Sequence, residues 1–318
     1  MTLTLLALAL AQDTEATDSA ADTQAADTAA DTASVEEPVE EPDPWANLPD
    51  IPGQVRPDNS IWELELLYHN EQFGEGLSRT DQMITADPKN ADLYWHAARF
   101  KFEIAEGFQR TDKSIDKEQW YTEMLAYAET GLKIDPDNAH LLFAKGIALG
   151  RLGTTRGVLA SLFTAQPIEQ AWTDCANSSY RYRSIAGEEQ LPCDCDLTLG
   201  IFYRLVPDSW LVDMIAGTSG DLDKSLAHHQ KADSCKPRDI GIMKEMGATQ
   251  LCIGEKEGDA QSTARGRATL QSALTIAPQT PNERIDVGHM RMLLNDPGLA
   301  CEYSRDGQQN LDESQLEK

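Results

Sequence analysis

Apolar residues recur at intervals of three and four along most of the chain after residue 60, which is the spacing of one helix face. In the first such stretch, Ile61 and Leu64 share a face with Leu67 or Tyr68. No stretch of useful length alternates apolar and polar residues, so the pattern predicts no β-sheet, and residues 167–192 are predicted to be irregular. Helices are predicted over residues 61–70, 76–86, 91–106, 118–134, 139–152, 155–164, 197–206, 208–215, 222–233, 239–253, 265–277 and 282–294, with a last one from 296 towards 306.

Two similar signals separate predicted helices. The sequences DPKNA at 87–91 and DPDNA at 135–139 each stop one helix and start the next. Proline lacks a backbone N–H and disfavours helical backbone in the residue before it, while the Asp or Asn that follows can cap a new helix. A weaker echo, IAP, occurs at 276–278. The chain is therefore predicted to consist of successive helical units.

These signals resemble tetratricopeptide repeats, in which a helical hairpin ends in a proline and the next hairpin follows. With Pro136 as the closing proline, Gly146 falls on the eighth position and Gly153 on the fifteenth, the small-residue and turn positions. The two Asp-Pro signals are 48 residues apart, against a usual repeat of about 34, because residues 107–117 form a long polar connection. The resemblance implies an all-α solenoid of antiparallel helical hairpins over residues 45–306.

Residues 139–280 are also similar, through looser motifs, to the divergent helical repeats of the T component of TRAP transporters and of regulators of microtubule dynamics. The motifs are LGIFYR at 199–204, PDSW at 207–210 and the turn GDLDK at 220–224. This resemblance implies an all-helical periplasmic or scaffold protein and transfers no catalytic residue.

The two ends of the chain differ from the rest in composition. Residues 1–11, MTLTLLALALA, join an apolar run to a small-x-small end and predict a cleaved signal peptide, too short to span a bilayer; the alternative is a frayed apolar terminus. Residues 12–44 are rich in Ala, Thr, Asp and Glu and predict a disordered acidic tether, and residues 307–318 predict a polar tail. The protein is thus expected to be exported, periplasmic or secreted, with no transmembrane segment after signal cleavage.

The chain is strongly acidic. It has 53 Asp and Glu against 27 Lys and Arg, a formal net charge of −26, and no basic residue between 12 and 50. Nucleic acids and anionic membranes attract basic surfaces, so the charge argues against both as partners.

Motifs for catalysis and metal binding are missing from the sequence. There is no GxSxG elbow, and GEK at 254–256 lacks the first glycine of a P-loop. His228 and His229 are adjacent, and neighbouring residues on a helix do not face one direction. Cys-x-Cys at 193–195 departs from the spacing of structural zinc pairs. We therefore expect no enzyme activity, no cofactor and no metal.

Six cysteines in an exported chain favour disulfides over free thiols or zinc. Cys235 and Cys252 would lie roughly 20 Å apart along a continuous helix, whereas bonded cysteines have Cα atoms within about 7 Å. Antiparallel packing of the helices that start near 197 and end near 233 brings Cys195 or Cys193 to Cys235. The predicted pairs, the last by elimination, are Cys195–Cys235, Cys175–Cys193 and Cys252–Cys301.

Arg181, Tyr182 and Arg183 are the candidate ligand-binding residues, because they form a basic spot within the irregular part of an acidic protein. Arginine can fork onto a carboxylate or a phosphate. The alternative is that the two arginines form structural salt bridges. Aromatic residues at helical spacing are predicted to lie in the core: Tyr94, Trp95, Phe100, Trp120 and Tyr121.

The sequence thus predicts a non-catalytic periplasmic scaffold or adaptor that binds a protein or peptide partner on the concave face of its hairpins. One alternative is a solute-binding component associated with a transport system, and another is an unrecognised hydrolase or metal protein. A long open groove would favour a peptide, and a closed pocket lined by aromatic residues would favour a solute.

Overall fold

A computed structural model describes residues 61–107, 116–156, 158–184, 189–279 and 281–304. The predicted signal peptide (1–11), tether (12–44) and tail (307–318) lie outside these residues. Within the described residues, no helix combines the length and the apolar character needed to cross a membrane.

Twelve α-helices make up most of the described chain, as the sequence pattern predicted. They are α1 Trp62–His69, α2 Phe73–Ala86, α3 Ala91–Gly107, α4 Lys117–Ile134, α5 Ala139–Arg156, α6 Val158–Asn177, α7 Cys193–Leu205, α8 Trp210–Ala216, α9 Leu222–Cys235, α10 Ile240–Glu257, α11 Ala260–Ala273 and α12 Pro281–Asn295. A 3-10 turn, Pro297–Leu299, follows, so the last helix predicted from 296 towards 306 is not formed within the described residues.

Successive helices pair as antiparallel hairpins: α1 with α2, α3 with α4, α5 with α6, α7 with α9, and α10 with α11. Some first helices also meet one another, since α3 packs on α5 and α7 packs on α10, and α12, which follows these hairpins, packs on α10 as well. We call the side of the molecule formed by these first helices the inner face. The architecture is an all-α solenoid, as predicted.

The short helix α8 lies inside the α7–α9 connection. Val212 and Ala216 of α8 join the apolar core formed by α6 and α7. The α7–α9 pair is therefore a hairpin with a helical insertion.

The eighth residue of the first helix is small in four successive hairpins: Ala98, Gly146, Gly200 and Gly247. A Cβ atom at Gly146 would lie 2.2 Å from Nε1 of Trp172 on α6. The indole Nε1 of Trp172 in turn donates to the carbonyl oxygen of Phe143 at 3.2 Å. The two helices of this hairpin are thus in the close contact that the sequence predicted at Gly146.

Helix α6 corrects one prediction. The pattern ended this helix near residue 164 and left the chain irregular from Pro167, but α6 runs through Pro167 to Asn177. An internal proline costs about 3 kcal/mol or more. Ile168 and Trp172, which follow the proline, are buried in the core with Leu199 of α7. Apolar burial after the proline therefore outweighs the local signal.

The prediction of no sheet was also wrong. Strands β1 (Tyr182–Arg183) and β2 (Glu189–Leu191) form a two-stranded antiparallel sheet between α6 and α7. Strands of two and three residues are too short to show an alternating pattern, so the sequence carried no signal for them. We call residues 180–191 the β-hairpin, of which 185–188 lie outside the described residues.

Candidate functional site

Polar and aromatic side chains of α1, α3 and α5 meet at the inner face, beneath the β-hairpin. The group consists of Glu65, Trp95, His96, Arg99, His140 and Tyr182, and we call it the hairpin cluster. Five of its members are buried, and Arg99 is 12% exposed. On α3, Arg99 follows Trp95 by four residues and His96 by three, so all three side chains project from one side of the helix.

An ion pair forms the centre of the hairpin cluster. Nη1 of Arg99 lies 3.2 and 3.3 Å from the two carboxylate oxygens of Glu65. The Arg99 guanidinium carbon lies 3.2 Å from the ring centroid of Tyr68 and 4.8 Å from that of Trp95. Burial disfavours the charged guanidinium, but the negative charge of Glu65 outweighs this, and the pKa of Arg99 is raised. The arginine is therefore held charged between two aromatic faces.

His96 is fully buried beside this pair, and neither ring nitrogen has a hydrogen-bond partner within the described residues. Its Nε2 is 3.5 Å from a carboxylate oxygen of Glu65. Burial, and then the charge of Arg99, lowers the pKa of His96 well below its ordinary value. The imidazole is thus neutral at physiological pH. Buried polar groups are nearly always hydrogen-bonded, so these two nitrogens are exceptions within the described residues.

The β-hairpin covers this cluster with two tyrosines. The Tyr182 ring is fully buried and meets the rings of Trp95 and His140 edge-on, with centroid distances of 5.8 and 4.5 Å. The Tyr182 hydroxyl lies beside Glu65 and Arg99, without a hydrogen bond of good geometry. Burial raises the pKa of Tyr182 well above its ordinary value. The neutral phenol therefore reaches the ion pair from the hairpin side.

His140 connects the second tyrosine to the cluster. Its Nε2 lies 2.9 Å from the hydroxyl of Tyr180, and its ring stacks on Trp95 at a centroid distance of 3.9 Å. Burial, and then His96, lowers the pKa of His140 well below its ordinary value. Both histidines of the cluster are therefore neutral at physiological pH.

The structure separates the three residues that the sequence singled out. Tyr182 points into the hairpin cluster. Arg181 donates to the carbonyl oxygens of Ser178 and Tyr180, and Arg183 donates to Glu189 of the paired strand at 3.1 Å. Both arginines thus bond within or just before the β-hairpin, rather than to neighbouring helices. Their role in binding a ligand stays a prediction.

Sequence reasoning missed Glu65, His96, Arg99 and His140, and it assigned Trp95 to the core. A signal was present, because charged or polar residues occupy positions on the apolar faces of α1, α3 and α5. The sequence does not show that these positions face one another.

All six cysteines form disulfides: Cys175–Cys195, Cys193–Cys235 and Cys252–Cys301. The predicted partners of Cys193 and Cys195 are interchanged. Helix α7 begins at Cys193, so this residue lies beside Cys235 at the end of α9. Cys195 is two residues on, about 200° around the helix, and faces Cys175 of α6. The Cys175–Cys195 bond closes the segment that carries the β-hairpin.

A second group of buried charged and polar side chains lies on α7, α10 and α12 and just after the 3-10 turn. It consists of Arg204, Lys244, Glu245, Asp286 and Tyr303, and we call it the C-terminal network. Arg204 lies 2.5 Å from Glu245 and donates to the carbonyl oxygens of Ala300 and Tyr303 at 2.9 and 2.7 Å. Lys244 lies 3.0 Å from Glu245 and 2.8 Å from Asp286. Burial alone would raise the pKa of Glu245, but Lys244 and Arg204 lower it.

The adjacent histidines have separate surroundings. His229 is buried, with Nδ1 3.1 Å from Thr249 Oγ1, and His228 is partly exposed, with Nδ1 2.7 Å from Asp196. Within the part of the chain that the structure describes, no group of three or more His, Cys, Asp or Glu is placed to hold a metal ion.

Comparison with known proteins bears on the fold. No protein-family model and no curated protein matches the chain. The solved structure of TTC0263, a thermophilic TPR protein of Thermus thermophilus, is similar, with a TM-score of 0.50 at 14% identity over 74% of this chain and 98% of that chain. A crystal structure of MamA has a TM-score of 0.40 at 13% identity, covering 70% of this chain and 100% of that chain. The fold of this chain is therefore that of a tetratricopeptide-like helical-repeat protein.

Proposed function

We propose that this protein is an exported, non-catalytic scaffold whose inner face binds an extended segment of a protein partner. One observation carries the proposal: an extended segment of the chain itself, β1, already lies on this face with its tyrosine buried. Repeat proteins of this kind use such surfaces for extended ligands. The β-hairpin then occupies the site as an internal ligand.

The Tyr182 side chain indicates what the inner face accepts. Its ring contacts Trp95 and His140, and its polar tip lies beside the Glu65–Arg99 pair. An aromatic ring with a hydroxyl group suits this position, because the ring packs on aromatic side chains while the polar tip reaches the ion pair. We therefore expect the partner segment to place a tyrosine, or a similar aromatic residue with a polar tip, at this position.

The β-hairpin is an imperfect occupant. It leaves both ring nitrogens of His96 and the hydroxyl of Tyr182 buried without good hydrogen bonds. Each such group costs roughly 1–3 kcal/mol. A partner segment that offers a donor and an acceptor to His96 recovers part of this energy, which allows it to compete with the hairpin.

A peptide titration tests this proposal. A variant with Tyr180→Ala and Tyr182→Ala withdraws both side chains of the hairpin from the inner face. A labelled peptide of residues 178–184, SSYRYRS, is titrated against the variant and the wild type and followed by fluorescence anisotropy. We expect the variant to bind at least about tenfold more tightly, because in the wild type the tethered hairpin competes at high effective concentration.

The same peptide with both tyrosines replaced by alanine serves as the control ligand. Equal affinity for both peptides, or no binding to the variant, would contradict the use of the inner face by extended segments.

Export is supported by the apolar start of the sequence and by the three disulfides, which form in oxidising compartments. Alkylation of the protein as isolated from its native compartment, without a reductant, should label no cysteine. Labelling of all six would place the protein in a reducing compartment and would reject export.

Solute binding is the second candidate. It is favoured because the inner face is covered at the hairpin cluster, where the rings of Trp95, His140 and Tyr182 contact one another and Trp95 also contacts His96, whose ring nitrogens have no partner within the described residues. Native mass spectrometry of the protein purified from its own host tests this candidate. A small bound molecule that is lost on His96→Ala would support it, and an unliganded mass would count against it.

A further inference from the structure

The three most exposed large apolar side chains of the described chain are Trp210 at 77%, Phe163 at 73% and Met214 at 67%. Trp210 and Met214 are four residues apart on α8 and therefore share a face. Phe163 lies on α6, the helix against which α8 packs. It is one turn from Gln166, whose Oε1 lies 3.1 Å from the site of a Cβ on Gly217 at the end of α8. Such clustering of exposed apolar residues marks interaction sites.

Helix α8 is firmly built, so this exposure does not result from a loose connection. The Ser209 hydroxyl caps the helix by accepting from the amide of Leu211 at 3.3 Å. Gly217 ends it in the left-handed conformation at φ 70°. A Cβ at Gly220 would lie 1.9 Å from the carbonyl oxygen of Val206, so the two ends of the insertion touch through their backbones. The fold thus holds Trp210 and Met214 outward.

The charges around this surface indicate the chemistry of its partner. Asp208 and Asp213 are exposed on either side of Trp210, and α8 carries no basic residue. An anionic membrane is disfavoured by these acids. Aromatic residues and methionine are enriched at protein interfaces, and charges at the rim select a partner of opposite sign.

We infer that Trp210, Met214 and Phe163, with the rim of Asp208 and Asp213, form a docking surface for an apolar protein surface bordered by lysine or arginine. We call it the α8 surface. It shares no residue with the hairpin cluster, and if the inner face binds a partner as proposed above, the protein would hold two different partner elements at once.

A pair of designed peptides tests the α8 surface in the full-length chain. One is an amphipathic helix of leucine and lysine, and the other has glutamate in place of every lysine. We expect the lysine peptide to bind the wild type, and the Trp210→Ala/Met214→Ala variant to lose at least about tenfold in affinity. The glutamate peptide should not bind. Circular dichroism melting checks that the variant remains folded, as expected for exposed positions.

A matched control separates the α8 surface from general attraction to an acidic protein. Ile285 and Met292 are exposed apolar residues on α12, and their double alanine variant should bind the lysine peptide like the wild type. Equal loss in both variants, or no loss in either, would overturn the inference.

Two further results would assign another occupant and would likewise overturn it. One is a wild-type dimer in sedimentation that Trp210→Ala/Met214→Ala converts to a monomer. The other is Trp210-dependent binding to vesicles of phosphatidylcholine. The inner-face variant Tyr180→Ala/Tyr182→Ala should keep its affinity for the lysine peptide, so failure of one proposal does not imply failure of the other.

Discussion

The hairpin cluster and the C-terminal network are built from the same parts but differ in completeness. Each contains buried charges on helices of the inner face, and a disulfide ties down the segment that covers it. In the C-terminal network the covering residues supply backbone carbonyl oxygens that accept from Nη1 of Arg204, and of this network only Nε of Arg204 is buried without a partner within the described residues. In the hairpin cluster the covering residues supply aromatic rings, and His96 and Tyr182 keep unpaired polar atoms.

This difference indicates a division of roles. A buried charge network with matched partners stabilises one closed arrangement, because removal of any member leaves another charge unpaired. A cover that leaves polar atoms unpaired is easier to replace by a segment that pairs them. We therefore expect the C-terminal network to hold one fixed arrangement, and we call it a structural lock. We expect the hairpin cluster to be a contact that a partner segment can replace.

Removing the shared acid of the C-terminal network should have the largest effect. Glu245→Ala leaves Arg204 and Lys244 buried with less compensation, and we expect a loss of about 3–5 kcal/mol in the free energy of unfolding. Urea denaturation measures it. Glu257→Ala, at the exposed end of the same helix, is the control and should change stability little. A loss below about 1 kcal/mol in Glu245→Ala would refute the lock.

Removing the disulfide beside the C-terminal network should lower the free energy of unfolding more than removing the one beside the β-hairpin. Cys252–Cys301 closes a sequence separation of 49 residues and Cys175–Cys195 one of 20. From the entropy of loop closure, replacing the first pair by serine should cost about 4 kcal/mol and the second about 3 kcal/mol. Paired denaturation curves check this order. A reversed order would mean that the β-hairpin, and not the C-terminal segment, is the stronger lock.

Glycines at contacts between paired helices test whether α5 and α10 are packed equally tightly against their partners. A Cβ at Gly146 would meet the rigid indole of Trp172 at 2.2 Å, whereas one at Gly247 would meet the movable end of Leu270 at 2.6 Å. Gly146→Ala should therefore cost about 1–3 kcal/mol, and Gly247→Ala less. Gly150→Ala, where no atom lies within 4 Å, should stabilise α5 by up to about 1 kcal/mol. Thermal melts would contradict this if all three variants behaved alike.

Acid should weaken both regions through buried histidines, of which the hairpin cluster has two; beside Glu245 and Arg204, burial lowers the pKa of His229 to about 3. The pKa values of His96 and His140 lie well below the ordinary value in the folded protein, so the unfolded chain takes up these protons first. The contribution of the two neutral histidines to the free energy of unfolding is complete above about pH 6.5. It is lost as the pH falls, by up to about 1.4 kcal/mol per pH unit for each histidine.

We expect His96→Gln to reduce the slope of unfolding free energy against pH between about 6 and 5, just below the ordinary pKa of histidine. The pKa of Glu245 lies below its ordinary value, so protonation of this acid contributes only at lower pH. Identical slopes for the variant and the wild type would show that His96 does not titrate on unfolding.

Much of the scaffold could be predicted because its signals are local. Asn138 of the DPDNA signal accepts from the amide of Leu141 at 3.2 Å, and Asp221 accepts from the amide of Lys224 at 2.9 Å, so both cap the helices predicted after them. Gly146 lies at the close contact between α5 and α6, as predicted, because its position relative to the preceding proline sets its place on the helix. The helix propensities and caps act within a few residues, where a sequence pattern can be followed directly.

The candidate site could not be predicted in this way. Glu65 and Arg99 are 34 residues apart, and Tyr182 comes from a strand too short to leave a pattern. The exposure of Trp210 was hidden as well, because an apolar residue in a helix is ordinarily expected to be buried. Only the packing of α8 on α6 shows which of its apolar residues face outward.

The order of the helices, most of their boundaries, the repeat architecture and the acidic character follow from local patterns in the sequence. The tertiary structure decided which of Cys193 and Cys195 meets Cys235, whether α6 continues past Pro167, and which polar residues come together under the β-hairpin. These outcomes depend on how each helix is rotated about its axis when it packs. That rotation is set by the sum of many contacts between distant residues, and no short stretch of sequence contains it.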